Sequence, residues 1–178
     1  MAATTNLLTV EEFRKLPEDD GPVYHELRHG ELVTVTRPKF KHHRIQKQLE
    51  RLLEPLAHNR GIVTIEFAFR PLPENELWVA DVAFIARERW DRIDPGDNLA
   101  GCPEIVIEVS RSNTAAEMLD KQKLCLENGA CEFWVIDSDR RQVLVSTPDR
   151  HTISYQAGQE IPLPLFGESK VSVDAIFA

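Results

Sequence analysis

An excess of positive charge is missing from this chain of 178 residues: 21 Lys and Arg stand against 29 Asp and Glu, a net charge of −8. That balance argues against a protein that coats nucleic acid by bulk attraction, yet it leaves room for an acidic metal site beside a local basic patch. Cysteine is scarce too. Three is an odd number, and none of the spacings is a paired metal-ligand spacing, so reduced thiols in a cytoplasmic protein are expected. Cys125 and Cys131 lie close in sequence, but ordinary burial of free thiols outweighs a redox role. No apolar run approaches the roughly 20 residues that cross a bilayer, so no membrane association is expected. Met1 to Leu8 has no basic segment followed by an apolar core, and therefore no visible signal peptide. Repeats, low-complexity tracts and a convincing linker are also missing. Residues 1–178 read as one domain, and 42% hydrophobic residues with three Trp and eight Phe can fill its core.

What is present centres on Trp78-Val79-Ala80-Asp81-Val82-Ala83-Phe84-Ile85. Strand side chains alternate, so Val82 and Phe84 should share one face and Asp81, Ala83 and Ile85 the other. A second run, Glu104-Ile105-Val106-Ile107-Glu108-Val109-Ser110, puts Glu108 among apolar neighbours in the same way. A carboxylate inside an apolar strand is costly unless it is paired, hydrogen-bonded or bound to metal. Two such strands in succession suggest one shared acidic site.

The remaining elements follow from local pattern. Thr9 and Glu12 form a capping box for a short helix that ends before Pro17. Val23–Leu27 and Glu31–Thr36 read as a hairpin with Gly30 at positive φ. Glu26 and Glu31 could face the site or the solvent, and solvent is the expectation for an isolated strand Glu. After Pro38, Ile45, Leu49, Leu52, Leu53 and Leu56 form a helical stripe with His42 at its edge and His43 off it. Gly61–Phe69 is a strand, residues 87–102 a surface excursion, and Thr114 the N-cap of a helix that Gly129 ends. Glu132–Asp137 and Arg141–Ser146 read as a further hairpin, with short strands and loops beyond.

Two groups of cations stand out. Arg37, Lys39, Lys41, His42, His43, Arg44 and Lys47 form a basic patch, either a grip on phosphates or a solvated face. In the helix after Thr114, the apolar residues include Met118, Leu119, Cys125 and Leu126. Lys121 lies three after Met118 and four before Cys125, on the apolar stripe, whereas Lys123 should face water. An inward Lys either snorkels or answers carboxylates. Asp81, Glu108 and Lys121 together would suit phosphodiester hydrolysis with Mg²⁺ or Mn²⁺, hard ions that take oxygen ligands. A buried ion-pair network explains the same three residues.

The order of these pieces resembles the Uma two family of endonucleases, within the PD-(D/E)XK restriction-nuclease-like superfamily. Tyr24-His25-Glu26-Leu27-Arg28-His29-Gly30-Glu31-Leu32 resembles its opening hairpin. His42 with Ile45 and Leu49 resembles its first core helix, and Ala80–Ile85 its Pro-Asp strand. Pro103 to Ser112, and Lys121 followed by Gly129 and Glu132–Asp137, resemble the motifs that close the site. The resemblance implies an α/β (α+β) fold, a mixed central sheet flanked by helices. It implies Asp81, Glu108 and the Val109 backbone carbonyl as metal ligands, and Lys121 in place of the motif's usual Lys, where this chain has Ser110. Glu26 and His42 match recurrent positions near the site. Two departures are Ala80 for the usual Pro and Cys125 for the usual Tyr. The expected function is Mg²⁺-dependent cleavage of nucleic acid, DNA in the first instance, by a homodimer that supplies two sites. A non-cutting nucleic-acid-binding module and a structural or interaction protein are the alternatives.

Overall fold

The computed structural model describes residues 7–17, 21–110 and 115–178. The capping box forms: the Thr9 hydroxyl accepts the Glu12 amide at 3.2 Å and Glu12 accepts the Thr9 amide at 2.9 Å, starting α1 (Val10–Phe13). Strands β1 (Val23–Arg28) and β2 (Glu31–Thr36) form the hairpin, turning through His29 at φ +52° and Gly30 at φ +76°. Two successive left-handed residues suit the tight turn whose twist matches the strands. In α2 (Phe40–Ala57) the stripe packs inward as expected, Ile45, Leu49 and Leu53 buried and Leu52 and Leu56 half-buried, with Gln46 buried alongside.

The chain continues through β3 (Gly61–Arg70), β4 (Trp78–Ala86), α3 (Arg87–Trp90), β5 (Leu99–Ala100), β6 (Ile105–Ser110) and α4 (Ala115–Glu127). It then runs through β7 (Glu132–Asp137), β8 (Gln142–Ser146), β9 (Thr152–Tyr155), β10 (Glu160–Pro162), β11 (Lys170–Ser172) and α5 (Val173–Ile176). Seven strands form one mixed sheet in the order β5-β3-β4-β6-β7-β8-β9, parallel at β3–β5 and β6–β7 and antiparallel elsewhere. The stretch 87–102 is thus not wholly a surface excursion, because its two-residue β5 completes one sheet edge; so short a strand has no readable alternation. The expected Thr114 cap and the motif residues Arg111 and Ser112 lie outside the described residues. No helix among the described residues is long and apolar enough to cross a membrane.

Helices cover both faces. On the α2 side Leu49, Val82, Phe84, Ile107 and Ile136 pack with the C-terminal segment. On the α4 side Trp78, Ala83, Ile85, Val106 and Phe133 pack with Cys125. The expected alternation of Val82 and Phe84 against Ala83 and Ile85 holds, but Ala80 and Trp78 fall on the α4 side with Ala83. Strand β4 therefore changes face at Asp81. Its partner does the same: Val63 and Ile65 pack towards α2, while Phe67 and Phe69 pack towards α4. The register runs from Ile65↔Val82 to Phe67↔Ala80, leaving Glu66 and Asp81 unpaired, with Glu66 at φ +49°. A left-handed residue inside a strand carries a local cost, and such interruptions re-aim side chains. Leu119, counted with the apolar residues of α4, is 63% exposed and lies off the buried face.

Two carboxylates inside the packed layers accept from indoles two residues on: Trp134 Nε1 donates to Glu132 at 2.7 Å and Trp78 Nε1 to Glu76 at 2.6 Å. Burial pushes both carboxyls above their ordinary range. The folded chain then holds a proton on Glu132 at pH values where the unfolded chain has released it, so this residue makes stability fall as pH rises from about 4.3, the usual Glu value. Glu132→Gln keeps an acceptor for Trp134 and removes the titration. Its stability relative to wild type, measured by urea unfolding, is expected to increase from pH 4 to pH 7; a gap independent of pH would show that Glu132 does not titrate differently in the two states.

Candidate active site

Strands β4 and β6 pair as far as Val82↔Ile107. One step further in that register sets Asp81 opposite Glu108, where the ladder opens. There a side chain takes over from the backbone: Asp81 Oδ2 accepts the Val109 amide at 2.7 Å. Asp81 Oδ1 accepts from Gln46 Nε2 at 2.9 Å and from His42 Nε2 at 2.8 Å. His42 and Gln46 are one turn apart on α2, so one helix face presents both donors. For a carboxylate to accept, His42 must carry its proton on Nε2, which leaves a buried Nδ1 without a hydrogen-bond partner.

Glu108 reaches the α4 side. Its Oε1 lies 2.8 Å from Lys121 Nζ, an ion pair without the alignment of a hydrogen bond. Lys121 donates to the Val79 carbonyl at 2.7 Å and sits 5.7 Å over the Trp78 ring. The inward placement of Lys121 is as expected, and Lys123 is exposed. Burial pushes the Glu108 carboxyl up to about 8; Lys121 opposes the shift, and Asp81 and Glu26 add to it. Burial also works against the charge on Lys121, but Glu108 and Glu26 outweigh it and raise its pKa.

Glu26 is not on the solvent side, contrary to the expectation for an isolated strand Glu. It is 1% exposed, accepting the Val79 amide at 3.1 Å and Arg28 Nε at 2.8 Å. The cause is long-range: Leu27 and Leu77 exchange backbone bonds of 3.0 and 2.9 Å, docking β1 onto the start of β4. Glu31 is exposed. Tyr24 also belongs to this cluster, its hydroxyl pKa raised by burial and by Glu26, Glu108 and Asp81. A cleft of about 300 Å³ joins Tyr24, Glu26, Arg28, Asp81, Glu108 and Lys121. Beyond His42 a second cleft, of about 320 Å³, is lined by Lys39, Lys41, Val109 and Ser110 with Ser138 and Asp139.

Sequence reading found Asp81, Glu108, Lys121, His42 and Glu26 but missed Gln46 and Tyr24. The spacing of Gln46 from His42, one helical turn, was the available signal. Cys125 is fully buried in the α4-side core, so the phenol at the cleft is that of Tyr24. The basic patch is divided. Lys39 and Lys41 line the second cleft, while His43, Arg44 and Lys47 border a separate depression along α2. Several of these cations already have partners. Arg37 donates to the Gly21 carbonyl and lies over Tyr24, Lys41 pairs with Asp139, Arg44 donates to Ala178, and Lys47 pairs with Glu50.

Among the described residues no group of three His, Cys, Asp or Glu forms a ready-made metal site. The oxygens at the open ladder still suit one kind of ion. Two carboxylates on facing strands match Mg²⁺, which binds through one or two carboxylates and keeps several waters. The Glu108 oxygen that lacks an aligned hydrogen bond has coordination capacity to spare.

The Uma2 family model, described as "Putative restriction endonuclease", matches residues 10–174. A solved structure, that of "a putative nuclease belonging to DUF820" from Anabaena variabilis ATCC 29413, superimposes with a TM-score of 0.79. It is 23% identical, over 96% of this chain and 97% of that one, a likeness that shows the fold. No curated relative matches the chain.

Removing one member of a buried pair costs about 3–5 kcal/mol because the other charge is left unanswered. Because the raised Glu108 carboxyl can take up a proton once its cation is gone, Lys121→Met is expected to lose less than that in urea unfolding at pH 7 and more as pH rises past 8. The double variant Lys121→Met/Glu108→Gln is expected to regain a large part of the loss at the higher pH. Additive losses would mean that the two side chains do not answer one another.

Proposed function

Because the chain belongs to the Uma2 family, we propose that it is a Mg²⁺-dependent endonuclease that hydrolyses phosphodiester bonds of DNA, with Asp81, Glu108 and Lys121 as its working residues. The observation that carries this reading is the open ladder: its two opposed residues are carboxylates that line one cleft, Asp81 held from the α2 side and Glu108 from the α4 side with a buried ammonium at 2.8 Å. Asp81, Glu108 and the Val109 carbonyl would hold the ion. Bound there, Mg²⁺ or Mn²⁺ supplies an acidified water and counter-charge for the phosphate.

The chain's own groups do the rest. Hydrogen bonds from His42, Gln46 and the Val109 amide fix the rotation of the Asp81 carboxylate, so its one remaining lone pair, on Oδ2, is aimed before any ligand arrives. Glu108 has its carboxyl raised to about 8 and must release a proton to become a ligand, so binding of the ion should strengthen from pH 6 to pH 8. Lys121 keeps its charge in this acidic surrounding and lends it to the anionic transition state. Ser110, at the end of β6, and the cations Lys39 and Lys41 line the route by which phosphates flank the centre. Each chain carries one such centre. A homodimer is therefore required only where both strands of a duplex are cut.

Calorimetric Mn²⁺ titration and a nuclease assay test the assignment together. Asp81→Ala and Glu108→Gln should lose both metal binding and cleavage. Lys121→Ala should retain metal binding and cleave about 10²–10³-fold more slowly, the usual cost of losing one preorganised transition-state contact. Full cleavage by Asp81→Ala, or wild-type protein that binds Mn²⁺ and cuts nothing, would rule the endonuclease reading out.

A further inference from the structure

Strand β1 turns one face to the cleft. Its side chains alternate, and Tyr24, Glu26 and Arg28, each two residues apart, line the same cavity as Asp81, Glu108 and Lys121. The chemistry proposed above uses the carboxylates and the Lys121 ammonium. It leaves Arg28, the other strong cation of this cavity, without a task.

Arg28 is held in one orientation. Its Nε donates to Glu26 Oε2 at 2.8 Å, and its Nη2 lies 2.8 Å from the same oxygen. Glu26 is buried and anchored by the Val79 amide, and the guanidinium lies 5.9 Å from the Trp78 ring. These contacts occupy one side of the planar group. A guanidinium has five N–H donors, so the end formed by Nη1 and the outer hydrogen of Nη2 keeps three. Among the described residues that end meets the Glu117 carboxylate, 3.8 Å from Nη1 and beyond hydrogen-bond reach. Glu117 is 60% exposed and lines the same cleft, so it can swing into water, whereas Glu26 cannot.

Two N–H groups on a fixed guanidinium match two oxygens of a phosphate, a geometry that an ammonium does not offer. The two cations near Trp78 divide the cavity. Lys121 stands beside Glu108, and Arg28 stands beside Glu26. None of the hydrogen-bond or ion-pair partners of Arg28 among the described residues is Asp81, Glu108 or Val109. The phosphate that suits its open end is therefore a neighbour of the reacting one.

We propose that Arg28 is a DNA-binding residue that grips, through its Nη1 and Nη2 end, a phosphate flanking the one at the carboxylates. The proposal rests on the nuclease reading for its substrate and adds a contact which that reading does not require. A flanking phosphate gains no charge during the reaction, so the grip acts on binding and not on the chemical step.

A labelled DNA duplex titrated by anisotropy in metal-free buffer, between about 50 and 200 mM salt, tests this. Each phosphate contact adds about 0.9 to the slope of log affinity against log salt. Arg28→Gln should lower the slope by about that much and weaken binding about 10- to 150-fold, as for one charge-assisted contact. Arg28→Lys should keep the slope. With Mn²⁺ present, the loss of kcat/KM in Arg28→Gln should fall on KM. Because Arg28→Gln leaves the buried Glu26 unanswered, the change is also made in a Glu26→Gln background, where the slope should fall equally. A slope unchanged by Arg28→Gln in both backgrounds, in protein that still cuts, would overturn the proposal and leave the nuclease reading standing. A slope that falls in protein that cuts nothing would uphold the phosphate grip and overturn the nuclease reading. Wild-type protein that binds no DNA would overturn both.

Discussion

The hydrogen bond from the Val109 amide to the Asp81 carboxylate replaces a backbone contact at the place where β4 and β6 part. An unpaired amide in a sheet interior is expensive, and a carboxylate there is more so; each removes the other's cost. Because the two strands separate at this step and no earlier, Asp81 and Glu108 meet across an opening instead of across a closed ladder. Helix α2 then supplies His42 and Gln46 from one side, and α4 supplies Lys121 from the other.

The twist that makes this possible is shared between two strands. Glu66 at φ +49° and Asp81 drop out of the β3–β4 register together, and both strands exchange faces there without slipping. Simple alternation would have aimed Asp81 at the α4 side, with Ala83. The interruption brings its carboxylate within reach of α2 while Glu108 keeps its place towards α4. The site therefore stands at the junction of the two apolar cores, and each core holds half of it.

Charge is concentrated at this junction. Asp81, Glu108 and Glu26 lie close enough to influence one another, against Lys121 and Arg28. The folded chain tolerates the imbalance by hydrogen bonds to Asp81 and Glu26 and by raising the Glu108 carboxyl. A small cation bound there, as proposed, would relieve the same imbalance.

Local periodicity was enough to read much of this from the sequence. The alternating runs located β4, β6 and β7; the apolar stripe located α2; the capping box located α1; and Lys121 on the apolar face of α4 pointed inward by spacing alone. These features depend on neighbours a few residues apart, where side-chain direction follows from helix and strand geometry. The tertiary structure decided what spacing does not encode. Gln46 meets Asp81 across 35 residues, and Glu26 meets the Val79 amide across 53. The same docking of β1 against β4 buried Glu26, and the paired interruption at Glu66 and Asp81 chose the face of the central carboxylate. The sequence by itself determined the elements, the family and the acidic centre; only the packing of those elements decided which donors orient the centre and which strand Glu lines its cleft, because a hydrogen bond between distant strands exists only once both cores have formed.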